Sequence, residues 1–172
     1  MVHAAFLRSP HAHAKILSIE TSCATAAPGI IAIYTGDDLA AHVTPYVGVL
    51  THLAGLRSVP QHPLAVGVCR WQGEPIVMVI ATSRALAEDA CELIEIDYED
   101  MPAAVDTEKA LDADAPLIHP ELGNNLCWDR EVVAGDVDKA FSANGVEIIE
   151  REFRFGRHTG VTLETRGTLC DY

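Results

Sequence analysis

The chain has 172 residues, 49% of them hydrophobic, with 25 acidic against 12 basic side chains and a formal net charge of −13. That length and apolar share allow one or two domains with a real core and exclude wholesale disorder, and the acidic balance excludes sequence-independent nucleic-acid binding, which needs a basic footprint. No apolar run approaches the roughly 20 residues that span a bilayer, the N-terminus lacks a signal-peptide pattern, and five cysteines without a C-x-x-C spacing read as reduced thiols buried in a cytoplasmic core.

Val2 to Leu7 is strand-like from the outset, as if Met1 were a start placed inside a longer ancestral sequence. Arg8-Ser9-Pro10 makes a turn, and Ala14 to Ile19 reads as a second strand with Ile16 on one face and Leu17 and Ile19 on the other. Ser22 can cap a short helix that Pro28-Gly29 ends. Ile30 to Tyr34 reads as a buried strand closed by Thr35-Gly36-Asp37-Asp38, and Val43 to Pro63 as loop. Leu64 to Trp71 reads as strand, turned by Gln72-Gly73-Glu74-Pro75 into the next.

Ile76 to Ala81 has no polar face, which predicts a central strand covered on both sides. Thr82 and Ser83 offer hydroxyls to cap a helix starting near Arg84, with Ala87, Ala90, Cys91 and Ile94 on its apolar face. From Ile94 the period changes to two, and Ile96 and Tyr98 alternate with Glu95, Asp97 and Glu99. This strand–helix–strand run reads as the folding nucleus.

Composition shifts after Asp100, and a domain boundary is expected between the end of that strand and the small polar connector Asp112 to Pro116. Asp106 can cap a turn from Thr107 to Leu111, and Asp136 a short helix through Phe141. Val146 to Phe155 alternates like a strand, and Gly156 to Gly160 is a glycine-bounded polar loop leading into a last strand that stops at Tyr172 while a sheet is still being built.

Four groups could carry chemistry. His11-x-His13 can place two imidazoles on one face, but no third metal ligand lies nearby. Glu88, Asp89, Glu92 and Glu95 have the spacing of a solvated helix face. The Gly73 turn has no following Lys and Ser/Thr, so it is no phosphate loop. Gly156, Arg157, His158 and Thr159, with Glu164 and Arg166 beyond them, could present donors to an anion or an oxo group, or form an ordinary hairpin; both readings stay open.

The segments HAAFLRSPHAHAKI (3–16), APGIIAIYTGDDL (27–39), RWQGEPIVMVIATSRALAEDACELIEIDYEDMPAAVD (70–106), GNNLCWDREVVAGDVDKAF (123–141) and FGRHTGVTLETRG (155–167) together resemble the large, molybdopterin-binding subunit of the xanthine dehydrogenase and aldehyde oxidase family, carbon monoxide dehydrogenase included. The resemblance implies an α+β fold: an α/β hammerhead domain over residues 1–106, then, over 107–172, a linker and the truncated start of a molybdopterin-binding domain. It implies an N-terminal fragment of a molybdenum hydroxylase, inactive alone, whose intact enzyme oxidatively hydroxylates an aldehyde, a purine-like heterocycle or CO with water as the oxygen source.

The implied cofactor is molybdopterin, as the cytosine dinucleotide, with molybdenum. The implied partners are the rest of the large subunit, an iron–sulfur subunit and an FAD subunit. In the family a loop matching Gly156 to Gly160 approaches the metal's oxo ligand, commonly through a glutamine, so Gly156, Arg157 and His158 are the implied cofactor-binding positions, although this sequence has no glutamine there. Glu164 matches a glutamate often seen after that loop. The competing reading is a free-standing, non-catalytic hammerhead module for assembly or protein interaction. As a fragment, the chain is expected to leave strands at 146–155 and 161–172 unpaired and open to homo-oligomerisation.

Overall fold

The computed structural model describes residues 1–50, 52–156 and 167–170. The chain divides into two units, Met1–Arg130 and Glu131–Tyr172. The first is built on two three-stranded antiparallel sheets.

In the first sheet β5 (Pro75–Ala81) lies between β1 (His3–Arg8) and β3 (Ile30–Thr35). As the unbroken apolar run predicts, Ile76, Val77, Val79 and Ala81 of the central strand are buried. Helix α3 (Arg84–Cys91) packs on this sheet against β1 and β5. Ser83 holds its N-terminus, the hydroxyl oxygen accepting from the Leu86 amide at 3.3 Å. The buried residues on the helix are the small Ala87 and Ala90, which let it approach the strands closely.

The second sheet places β2 (Ala14–Glu20) between β4 (Val68–Cys69) and β6 (Glu95–Asp100). The expected strand–helix–strand nucleus therefore spans two sheets: β5 and β6 never pair, and α3 carries the chain between them. Across β2 and β6, Lys15 Nζ meets Glu99 Oε1 at 3.0 Å and the Ser18 hydroxyl donates to Asp97 Oδ2 at 3.1 Å.

Two bulges reset the expected faces. The β2–β6 register shifts between Ile16 and Ser18, so Leu17 turns out to solvent while Ile16 and Ile19 both pack on the core. A shift between Ile30 and Ala32 does the same on β3, leaving Ile31 exposed while Ile30 and Ile33 pack inward. That strand is an edge, not the buried strand expected.

The expected strand from Leu64 to Trp71 shrinks to Val68–Cys69, because Gly67 sits at φ 66° and turns the chain. Short helix α1 (Ser22–Thr25) begins one residue early, with Thr21 at the N-cap and Ser22 inside, its amide donating to Glu20 Oε1 at 2.7 Å. Thr35 to Asp38 is not only a turn: it opens α2 (Gly36–Ala40) with a reciprocal capping box between Thr35 and Asp38.

Beyond β6, single 3₁₀ turns form at Lys109–Leu111 and Pro120–Leu122. In the second unit α4 (Val137–Phe141) is capped as expected, Asp136 Oδ1 accepting from the Lys139 amide at 2.9 Å. The alternating stretch 146–155 forms no strand and is exposed among the described residues. No helix among the described residues is long and apolar enough to cross a membrane.

Candidate functional site

Of the three cofactor-binding positions read from the sequence, Gly156 is described and exposed, in the second unit. Arg157 and His158 lie outside the described residues, as do Thr159, Gly160, Glu164 and Arg166.

The two histidines of His11-x-His13 serve different partners. His11 Nδ1 lies 2.7 Å from Asp100 Oδ1, and its ring stacks at 4.5 Å on Tyr98. Burial pushes the Tyr98 hydroxyl up to about 12. His13 is buried, and its Nδ1 donates to the Pro102 carbonyl at 2.7 Å. The pair pins the end of β6 rather than converging on a metal, and no cluster of three metal-capable side chains occurs among the described residues.

The densest polar constellation forms around the Gly73 turn. Glu74 is 6% exposed, and its Oε2 accepts from the Arg70 amide at 2.5 Å. Burial raises its carboxyl above the ordinary carboxylate range, while the Arg70 amide and guanidinium pull it back. The turn is laced to the loop after β1: the Ser9 amide donates to the Glu74 carbonyl and the Gly73 amide to the Ser9 carbonyl, both at 2.8 Å. Arg8 Nη1 adds a bond to the Gly73 carbonyl at 2.9 Å. His62 and His119 close a small cavity over Arg70 and Glu74. The sequence singled out the turn with Glu74 but did not bring Arg70, His62 and His119 to it. A glutamate directly before a proline that opens a central strand was the available signal.

Two concavities of the first unit do not fit a pterin cofactor. The cavity over Arg70 measures about 20 Å³, room for one water. A more open groove of about 220 Å³ runs between Ile16–Ile19 and Thr35–Asp37, lined by one carboxylate, Asp37, and no basic side chain. It offers no cationic partner to a phosphate.

Residues 1–102 match the family described as aldehyde oxidase and xanthine dehydrogenase, a/b hammerhead domain. The chain belongs to this family. The chain is 36% identical over 171 residues to the nicotine 6-hydroxylase large subunit of Paenarthrobacter nicotinovorans, covering 99% of this chain and 21% of that one. A xanthine dehydrogenase molybdenum-binding subunit of Escherichia coli O157:H7 is 30% identical over 149 residues, covering 86% and 20%. Among solved structures, quinoline 2-oxidoreductase from Pseudomonas putida 86 superposes with a TM-score of 0.69 at 40% identity, covering 73% of this chain and 16% of that one. The chain thus spans about a fifth of the length of the curated relatives it matches. The α+β hammerhead expected from the resemblance is the fold observed, and the relatives include a hydroxylase large subunit and a molybdenum-binding subunit of xanthine dehydrogenase.

Proposed function

We propose that this chain supplies the hammerhead portion, residues 1–106, and the opening of the first molybdopterin-binding domain, residues 107–172, of a molybdenum hydroxylase large subunit. One observation carries the reading: the likeness runs through nearly the whole chain while occupying only a fifth of each curated relative. When bound, the molybdenum cofactor, as the cytosine dinucleotide, would supply the centre at which a carbon is hydroxylated with oxygen from water.

In this reading the chain's own task is positional. The first unit is scaffold, with its two sheets closed around an apolar core. Gly156, Arg157 and His158 form the loop that offers donors toward the cofactor, a guanidinium and an imidazole being suited to an oxo group or a phosphate. The 172 residues alone hold no cofactor and turn over no substrate, because a buried organic cofactor needs a cavity walled on several sides. The partners are the rest of the large subunit and iron–sulfur and FAD subunits, in the cytoplasm, where unpaired thiols persist. Expressed by itself, the chain is open to self-association through unpaired strand edges.

Affinity purification from the source cells, followed by mass spectrometry of the associated chains, tests the reading. Recovery of iron–sulfur and flavin subunits is expected. A chain recovered alone would favour the free-standing interaction module.

A further inference from the structure

The chain holds three asparagines, Asn124, Asn125 and Asn144, and of these Asn144 alone precedes a glycine. The structure separates them further. Asn125 is held at both ends of its amide: Nδ2 donates to the Ala110 and Pro116 carbonyls, each at 2.9 Å, and Oδ1 accepts from the Ile118 amide at 3.1 Å. Asn124 Oδ1 accepts from the Leu126 amide at 3.1 Å and from Arg57 Nη2. Asn144 is exposed, in the turn that follows α4. Neither its side chain nor the Gly145 amide has a hydrogen-bond partner among the described residues. Gly145 sits at φ 82°, and even a Cβ built there would meet nothing within 4 Å.

We propose that Asn144 is a site of self-modification, converting to aspartate and isoaspartate through a cyclic imide formed with Gly145. The Gly145 amide nitrogen, its proton taken by base, attacks Asn144 Cγ and closes a five-membered ring. The Cγ–Nδ2 bond breaks, and the nitrogen takes up a proton and leaves as ammonia. Water then adds at either imide carbonyl. Opening on the side-chain side gives aspartate, and opening on the backbone side routes the main chain through Cγ and gives isoaspartate. Nothing is oxidised or reduced, and water is the one co-reactant.

Ring closure needs a free backbone amide, an asparagine side chain free to rotate onto it, and no bulk on the following residue. Asn144 meets all three conditions. Asn125 meets none: its side chain makes three bonds, the Leu126 amide already donates to Asn124, and leucine follows. Asn124 is tied through Oδ1 and is followed by Asn125 rather than glycine. Each conversion adds one negative charge to an already acidic chain, and isoaspartate also adds one main-chain carbon between α4 and the stretch 146–155. This inference is independent of the proposed catalytic role.

Time-resolved peptide mapping of the intact purified protein at mildly alkaline pH tests it. The expected result is the mass gain of an amide becoming an acid at residue 144, speeding up with pH. It should run more than about tenfold faster than at Asn125, which must first release its hydrogen bonds. The Asn144→Gln variant, whose ring would have six members, should lose the gain. Persistence of the gain in that variant would place the chemistry elsewhere and overturn the proposal. No gain at Asn144, equal rates at Asn144 and Asn125, or a gain at Asn144 that appears only after unfolding in urea would each overturn it as well.

Discussion

Glu74 folds back on its own turn, with Oε2 2.5 Å from the Arg70 amide nitrogen and the residue 6% exposed. Burial outweighs these donors and lifts the carboxyl above its ordinary value of 4.5. The folded chain therefore holds this proton to higher pH than the unfolded chain does. Glu74's contribution to stability is complete below 4.5 and is lost as pH rises through the folded value. The Glu74→Gln variant keeps an acceptor for the Arg70 amide and does not ionise. Its stability relative to wild type should rise as the pH increases above the ordinary carboxyl value of 4.5 in urea titrations. A pH-independent difference would contradict this account of the turn.

Gly36 opens α2 hard against the loop before β4: a Cβ there would stand 2.0 Å from the Ala65 carbonyl oxygen. The obstacle is backbone, so it cannot rotate away. Gly36→Ala is expected to cost at least about 1–3 kcal/mol. Equal midpoints in denaturant titrations of variant and wild type would show that the approach is looser than described.

Arg57 clamps the loop after Tyr46 to the segment following the Pro120–Leu122 turn. Its Nη1 donates to the Leu122 carbonyl at 2.9 Å, and its Nη2 to Asn124 Oδ1 and the Leu126 carbonyl. The Arg57 amide meets the Cys127 carbonyl at 2.8 Å, and Trp128 Nε1 donates to the Ala54 carbonyl at 3.2 Å. Arg57→Ala should cost roughly 1–2 kcal/mol and shift Trp128 emission to the red as its indole loses that contact. Unchanged emission would mean the clamp does not hold this segment.

All five cysteines are unpaired, but they are not alike. Cys23, Cys127 and Cys170 are exposed, whereas burial pushes the pKa of the Cys69 and Cys91 thiols up. The expectation of five buried thiols holds only for Cys69 and, in part, Cys91. In the native protein a thiol reagent should modify the exposed three quickly and the other two slowly, since the thiolate is the reactive form. Five equal rates would contradict the burial assigned to Cys69.

Much of the first unit was legible because its signals are local. The polar-free run Ile76 to Ala81 marked the central strand, and Ser83 with Ala87 and Ala90 marked α3. Single-residue slips were not legible. Nothing about Leu17 or Ile31 announces a bulge, since register is decided by the pairing strand. Nor does a sequence say that β5 and β6 enter different sheets, because α3 would look the same in either arrangement. The cavity over Glu74 escaped notice for the same reason: His62, Arg70 and His119 come together only through the tertiary fold. The alternation from Val146 to Phe155 records a capacity to pair, and the described residues alone do not form that ladder.

The central claim is that this chain works as part of a molybdenum-bearing large subunit. Elemental analysis of the protein purified from its source cells, beside the 172-residue chain expressed alone, tests it most directly. Molybdenum stoichiometric with the native protein and none above background in the isolated chain is the predicted result. Native protein free of molybdenum would contradict the claim, and stoichiometric metal in the isolated chain would contradict its scaffold role.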